Sequence, residues 1–196
     1  MSKELSAPIV SGNTGSTAVW IRNTGIVLGG SLLLALCSQI ALPLYFTPVP
    51  LTLQTFAVLL LGLLLSPRLA AGSVIAYLAE GALGLPVFAP APALSGLAHL
   101  LGPTGGYLLS YPAAAAVTAA LWRRLGRGTT GAGFAAAAGS LIILVCGALW
   151  MGIVTRAGVQ MTLASAVIPF LPGDLLKVTA AALVAGGLSR FRSNKP

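Results

Sequence analysis

The sequence predicts an all-α membrane protein, one bundle of about six short transmembrane helices with both termini cytoplasmic, and three observations carry that prediction. Hydrophobic residues make up 57% of the 196 positions and charged residues 7%, whereas an ordinary soluble domain is roughly a quarter charged. A water-soluble fold built from this chain would lack a polar coat. Most apolar residues fall in blocks of about 15 to 23, the size of membrane-crossing segments. The net charge of +8 comes from short basic clusters between those blocks, a topology pattern and no mark of nucleic-acid binding.

Taken in order, residues 1–19 are polar and rich in Ser, Gly and Thr, which suits a flexible cytoplasmic tail better than a cleaved signal peptide. Breaks at Pro, Gly and Arg then delimit six segments: Gly25–Leu42, Thr52–Leu65, Leu69–Leu83, Gly105–Trp122, Gly133–Thr155 and Gly173–Leu188. Several are short for a span of about 20 residues, so they need a locally thinned bilayer or flanking backbone buried in protein. The second and third, joined by Ser66-Pro67-Arg68, form a tight helical hairpin. Cys37 and Cys146 lie inside apolar segments as small hydrophobes, and Leu36 before Cys37 excludes a lipoprotein processing site.

With the amino terminus inside, the inner segments are the tail, the Ser66-Pro67-Arg68 turn, the Trp122–Thr130 loop and the carboxyl tail. They hold Lys3, Arg22, Arg68, Arg123, Arg124, Arg127, Arg190, Arg192 and Lys195, nine of the eleven Lys and Arg residues. Arg156 alone falls outside and Lys177 lies within a helix, so the positive-inside rule fixes the orientation. The outer segments Pro43–Leu51, Gly84–Thr104 and Arg156–Pro172 are nearly uncharged and rich in Pro and Gly, a composition suited to ordered caps over the bundle.

The acidic residues are three, Glu4, Glu80 and Asp174. Asp174 opens the sixth segment in Pro172-Gly173-Asp174-Leu175-Leu176-Lys177, and the spacing of three places it on one helical face with Lys177. Two readings stand side by side: a helix-capping ion pair, or a ligand site, because a charge in mid-bilayer costs about 2.5–3.5 kcal/mol on insertion scales. Glu80, near the outer end of the third segment, lines the same cavity or snorkels to the interface. Tyr77, Gln54, Thr52, Gln39, Trp150 and Tyr107 add polar and aromatic groups near that outer half, where each serves either a small-molecule pocket or plain packing.

Other chemistries are excluded. Gly102-Pro103-Thr104-Gly105-Gly106-Tyr107 lacks the Lys-Ser/Thr ending of a phosphate loop and lies on the outer face. His99 is single, with no Cys, Asp or Glu beside it to complete a metal shell or a catalytic triad. The sequence therefore reads as a non-enzyme with no metal and no cofactor.

Three stretches in series, Thr47-Pro48-Val49-Pro50-Leu51-Thr52-Leu53-Gln54, Gly84-Leu85-Pro86-Val87-Phe88 with the Gly102–Tyr107 stretch, and Pro172–Lys177, closely resemble the BioY family over about residues 30–190. BioY proteins are biotin-specific substrate-capture subunits, or S components, of bacterial energy-coupling factor transporters. The resemblance implies a six-helix S-component fold in the bacterial cytoplasmic membrane, surrounded by lipid, that binds biotin from outside beneath loop lids. It implies docking through the first helix on a transmembrane coupling subunit that two ATPase subunits energise. The biotin contacts of the family fall on Asp174 and Lys177, and Phe88 and Gly105 join Gln54, Tyr77, Glu80, Tyr107 and Trp150 as candidate pocket residues. The first helix carries Gly25-x-x-x-Gly29 and Ser31-x-x-x-Ala35, with Ser38 beyond, small residues that let helices approach closely. Rival readings are an S component for another small vitamin, a self-sufficient biotin facilitator, and a membrane scaffold in which the Asp174–Lys177 pair only stabilises the bundle.

Overall fold

In a computed structural model, which describes residues 14–90, 96–126 and 128–193, the chain is a helical bundle. Its elements are α1 (Thr14–Gln39), β1 (Ala41–Leu42), β2 (Leu51–Thr52), α2 (Gln54–Leu64), α3 (Pro67–Ala82), α4 (Leu97–Leu101), α5 (Gly105–Arg124), α6 (Thr129–Thr155), α7 (Val159–Ala166), a 3-10 turn (Ile168–Phe170) and α8 (Leu171–Ser193). Each of the six predicted segments is occupied by a helix, with three corrections. α1 begins at Thr14, so the last residues of the predicted tail are helical, while Leu42 belongs to a two-residue antiparallel pairing with Leu51. The predicted outer loops contain α4, α7 and the 3-10 turn. Residues 1–13, with Lys3 and Glu4, and also Arg127 and Lys195, lie outside the described residues.

Helical stretches at Thr17–Gln39, Thr129–Thr155 and Val159–Phe191 are long and apolar enough to cross a membrane. The distribution of side-chain size fits that solvent. Small residues fill the interior, among them Ala114, Ala115, Ala132, Ala135, Ala181 and Ala185, whereas Leu28, Leu32, Phe134, Leu141, Leu149 and Leu183 point outward. A lipid-facing bundle gains nothing by hiding leucine, and close backbone approach is what holds its helices together.

α2 is the exception that organises the rest. It packs against α1, α3, α5, α6 and α8, buries seven of its 11 residues, and is apolar on most sides, as a largely enclosed helix must be. At about 1.5 Å per residue it is roughly 16 Å long, half the hydrocarbon thickness, and its neighbours supply the surface that lipid cannot. α2 and α3 meet at Ser66, whose Oγ accepts the Leu69 N–H at 3.4 Å, and Pro67 occupies the first helical position where no N–H is needed.

α5 and α6 form the most extensive helix pair, and two glycines permit it. A Cβ on Gly106 would run into Trp150, and one on Gly147 into the ring of Tyr107. The N-terminal ends of α2, α5 and α8 gather at one end of the bundle, around Gln54, Tyr107 and Asp174, and their C-terminal ends gather at the other, around Leu64, Trp122 and Leu188. The C-terminal end of α1 reaches the first group, since Leu53 N–H donates to Ile40 C=O at 3.1 Å. The described chain ends therefore share the second end, which also carries Arg68, Arg123, Arg124 and Arg190.

Candidate functional site

A cavity of about 210 Å³ opens at the end where α2, α5 and α8 begin. An engineered void of about 150 Å³ accommodates benzene, so this one has room for a compact small molecule. Its walls are mostly apolar: Pro43, Leu44, Pro48, Val49 and Pro50 from the β1–β2 connection, Ala89 and Pro90 from the segment after α3, Ile143 and Leu144 from the middle of α6, and Phe170 from the 3-10 turn.

The polar groups converge from α2, α4, α5 and α8. Asp174 sits in the first turn of α8, where the helix dipole favours an anion, and is 7% exposed. Lys177 Nζ lies 3.6 Å from Asp174 Oδ1. Ser140 of α6 donates to Asp174 Oδ2 at 2.9 Å, so both carboxylate oxygens are engaged. Both charged residues line the cavity, leaving the pair directed at its contents.

On the α2 side, Gln54 enters at the first helical position and is held from behind. Its Nε2 donates to the Tyr77 hydroxyl at 2.5 Å, and its Oε1 accepts from Tyr111 at 3.4 Å and from Thr52 at 3.3 Å. Tyr77 is itself wholly buried, edge-on to Phe88 with ring centroids 5.4 Å apart. Tyr107 donates to the Ala166 carbonyl at 2.6 Å and lies 6.1 Å from the Phe170 ring, which ties α5 to the end of α7.

Of the residues predicted from sequence, Thr52, Gln54, Tyr107, Asp174 and Lys177 line the cavity. The others take supporting positions outside its lining. Tyr77 braces Gln54, and Phe88 packs between Tyr77 and His99. Trp150 donates to the Gly102 carbonyl at 2.9 Å and fastens the start of α5. Gly105 is pinned there because a Cβ would collide with the Leu100 carbonyl. Glu80 accepts a hydrogen bond from Ser31 at 2.5 Å, joining α1 to α3 away from the cavity.

The sequence reading missed His99, Tyr111 and Ser140. His99 is buried, lines the cavity and stacks on Phe88 at 4.9 Å; a lone histidine in an apolar loop carries no pattern to mark it. Tyr111 had such a mark, because it follows Tyr107 by one helical turn and shares its face. Ser140 had none. On α1, Gly25 and Gly29 are exposed, but Ser31 is 1% and Ser38 0% exposed, and Ala35 is half-buried. Of the expected docking set, Ser31 and Ser38 face α3 and the segment after it within this chain, Ser31 donating to Glu80 and Ser38 Oγ lying 2.5 Å from the Val87 carbonyl.

Comparison with known proteins fits this arrangement. The family model described as the BioY family matches residues 6–194. A Pyrococcus horikoshii protein called "Probable biotin transporter BioY" is 40% identical over 70% of this chain and 79% of its own length. The "Biotin transporter BioY" of Rhodobacter capsulatus is 37% identical over 87% and 95%, respectively. A crystal structure of "the S-component for biotin from an ECF-type ABC transporter" superposes with a TM-score of 0.79 at 23% identity, covering 88% of this chain and 93% of that one, and so shares its fold. A membrane-spanning helical bundle matched along nearly its whole length by one transporter family, this chain belongs to the BioY family.

Proposed function

We propose that this chain captures biotin from the outer side of a cytoplasmic membrane as the S component of an energy-coupling factor transporter. The observation that carries the reading is the buried Asp174–Lys177 pair facing an otherwise apolar cavity beneath the proline-rich β1–β2 connection, in a chain whose relatives are named biotin transporters. Biotin presents a ureido group with two N–H donors and one carbonyl acceptor, fused to an apolar bicycle. Asp174 accepts a ureido N–H, Lys177 donates to an oxygen of the ligand, and Gln54, Tyr107 and the prolines enclose the rings. Charge-assisted bonds in a dry site are roughly twice as strong as neutral ones, which is how a small ligand is held selectively.

The orientation follows from the basic end of the bundle. With Arg68, Arg123, Arg124 and Arg190 cytoplasmic, six helices cross in alternation, both termini are inside and the cavity opens outward. Binding needs no hydrolysis by this chain; transport is driven by two ATPase subunits through a coupling subunit that docks on α1. The face available for docking is the exposed stripe Gly25, Gly29, Leu32 and Leu36.

Isothermal calorimetry with biotin tests the assignment. Asp174→Asn and Lys177→Ala each remove one charged hydrogen bond, worth about 1.5–3 kcal/mol, so affinity falls roughly 10- to 150-fold. Stranding one buried charge itself costs about 3–5 kcal/mol of stability. The double variant Asp174→Asn/Lys177→Met strands none, and is expected to fold and not bind. Parental affinity in that variant would refute the site.

A further inference from the structure

A second cavity, of about 390 Å³, lies at the opposite end of the bundle, between the C-terminal ends of α2, α5 and α8. Its lining divides by chemistry. Leu63, Leu64 and Leu65 with Leu188 make an apolar wall, and Leu64 and Leu188 are open to the surroundings of the bundle. Arg123 and Arg190 make a cationic rim. Trp122 stands between, buried, its Nε1 donating to the Gly128 carbonyl at 3.2 Å.

No carboxylate among the described residues pairs with the charge at this rim. Among the described residues the carboxylates are Glu80 and Asp174, the first bonded to Ser31 near the C-terminal end of α3 and the second to Lys177 and Ser140 at the far end of α8. Arg123 lies in the last turn of α5 and Arg190 three residues before the end of α8. Each of the three helix C-termini contributes about −0.5 charge, so roughly a quarter of the two guanidinium charges remains. Two guanidinium groups beside an apolar wall fit an amphiphile with an anionic phosphate, since guanidinium forks match phosphate oxygens bidentately.

We infer that this cavity binds the headgroup of an anionic phospholipid, its phosphate between Arg123 and Arg190 and its acyl chains along Leu64 and Leu188. A lipid is favoured over free phosphate because four of the ten lining residues are leucine, which a phosphate ion cannot use. The site is independent of the biotin cavity, which lies at the other end of the same three helices.

The test uses the full chain in phosphatidylcholine nanodiscs doped with phosphatidylglycerol, reading retained phosphatidylglycerol by native mass spectrometry. With each Arg near an anionic surface contributing as expected, Arg123→Gln/Arg190→Gln binds phosphatidylglycerol about 30-fold more weakly. Arg123→Lys/Arg190→Lys, which keeps the charge but loses the bidentate fork, binds more tightly than the Gln variant and more weakly than the parent, and the thermal midpoint is unchanged in both. Equal retention in parent and Gln variant overturns the inference. So does displacement of phosphatidylglycerol by an equal concentration of inorganic phosphate, which would mark a free-anion site. Loss of co-purifying coupling subunit with phosphatidylglycerol retention intact would likewise overturn it, in favour of an acidic protein partner.

Discussion

Ser140 illustrates how a single hydroxyl governs the cavity without carrying charge. It donates to Asp174 Oδ2 and leaves the other oxygen to Lys177, so its removal frees the carboxylate to turn. Ser140→Ala is expected to weaken biotin binding about tenfold, the loss of one hydrogen bond to a charged group, with a calorimetric titration as the check. Tyr77→Phe acts one layer further out, because it deprives the Gln54 amide of its acceptor. An unsatisfied buried donor costs about 1–3 kcal/mol, which a lowered thermal midpoint will report. Residue types and spacing in the sequence made Asp174, Lys177, Gln54 and Tyr107 legible, because charge and amide groups in an apolar chain are conspicuous. Ser140 and His99 were not legible, since their roles come from where α6 and α4 pass the cavity and from nothing in their own neighbourhoods. Glu80 was conspicuous for the same reason as Asp174, and it went instead to the α1–α3 contact with Ser31.

At the scale of the helix, the periodicity of α1 separates its two faces. At about 100° per residue, Gly29 and Ser31 are roughly 200° apart, so the glycines and the serines cannot serve one partner. The spacing held that distinction; small-residue content alone did not. Gly29 has open space around it, and Gly29→Trp is expected to abolish co-purification with a coupling subunit while leaving biotin affinity unchanged. Loss of both would indicate that α1 had been displaced. The α5–α6 pair makes the opposite case, a contact with no slack. Gly147→Ala drives a methyl group into the Tyr107 ring, and overpacking of this kind costs about 1–3 kcal/mol. Because Tyr107 lines the cavity, the same variant should lose both thermal stability and biotin affinity, measurable on one preparation. Helix boundaries were the weaker part of the reading, for α4 and α7 are too short to leave an apolar block and sit in segments whose proline and glycine content suggested loop.

For the whole molecule acting as proposed, capture is separable from transport. Among the described residues one cavity lies where α2, α5 and α8 begin and another where they end, with no lining residue in common. Labelled biotin uptake by cells that express this chain and lack every coupling subunit is expected to stay at background, whereas binding to their membranes rises. The central position of α2 has a consequence for how the protein is made. An 11-residue helix is too short to be accepted by the bilayer as a span on its own, and the surfaces that enclose it belong largely to α5, α6 and α8, which are synthesised later. During biogenesis α2 therefore enters on the hairpin it shares with α3, and its enclosure is complete only once α8 has been made. The ligand cavity, which α2 and α8 both border, comes into existence at that same moment.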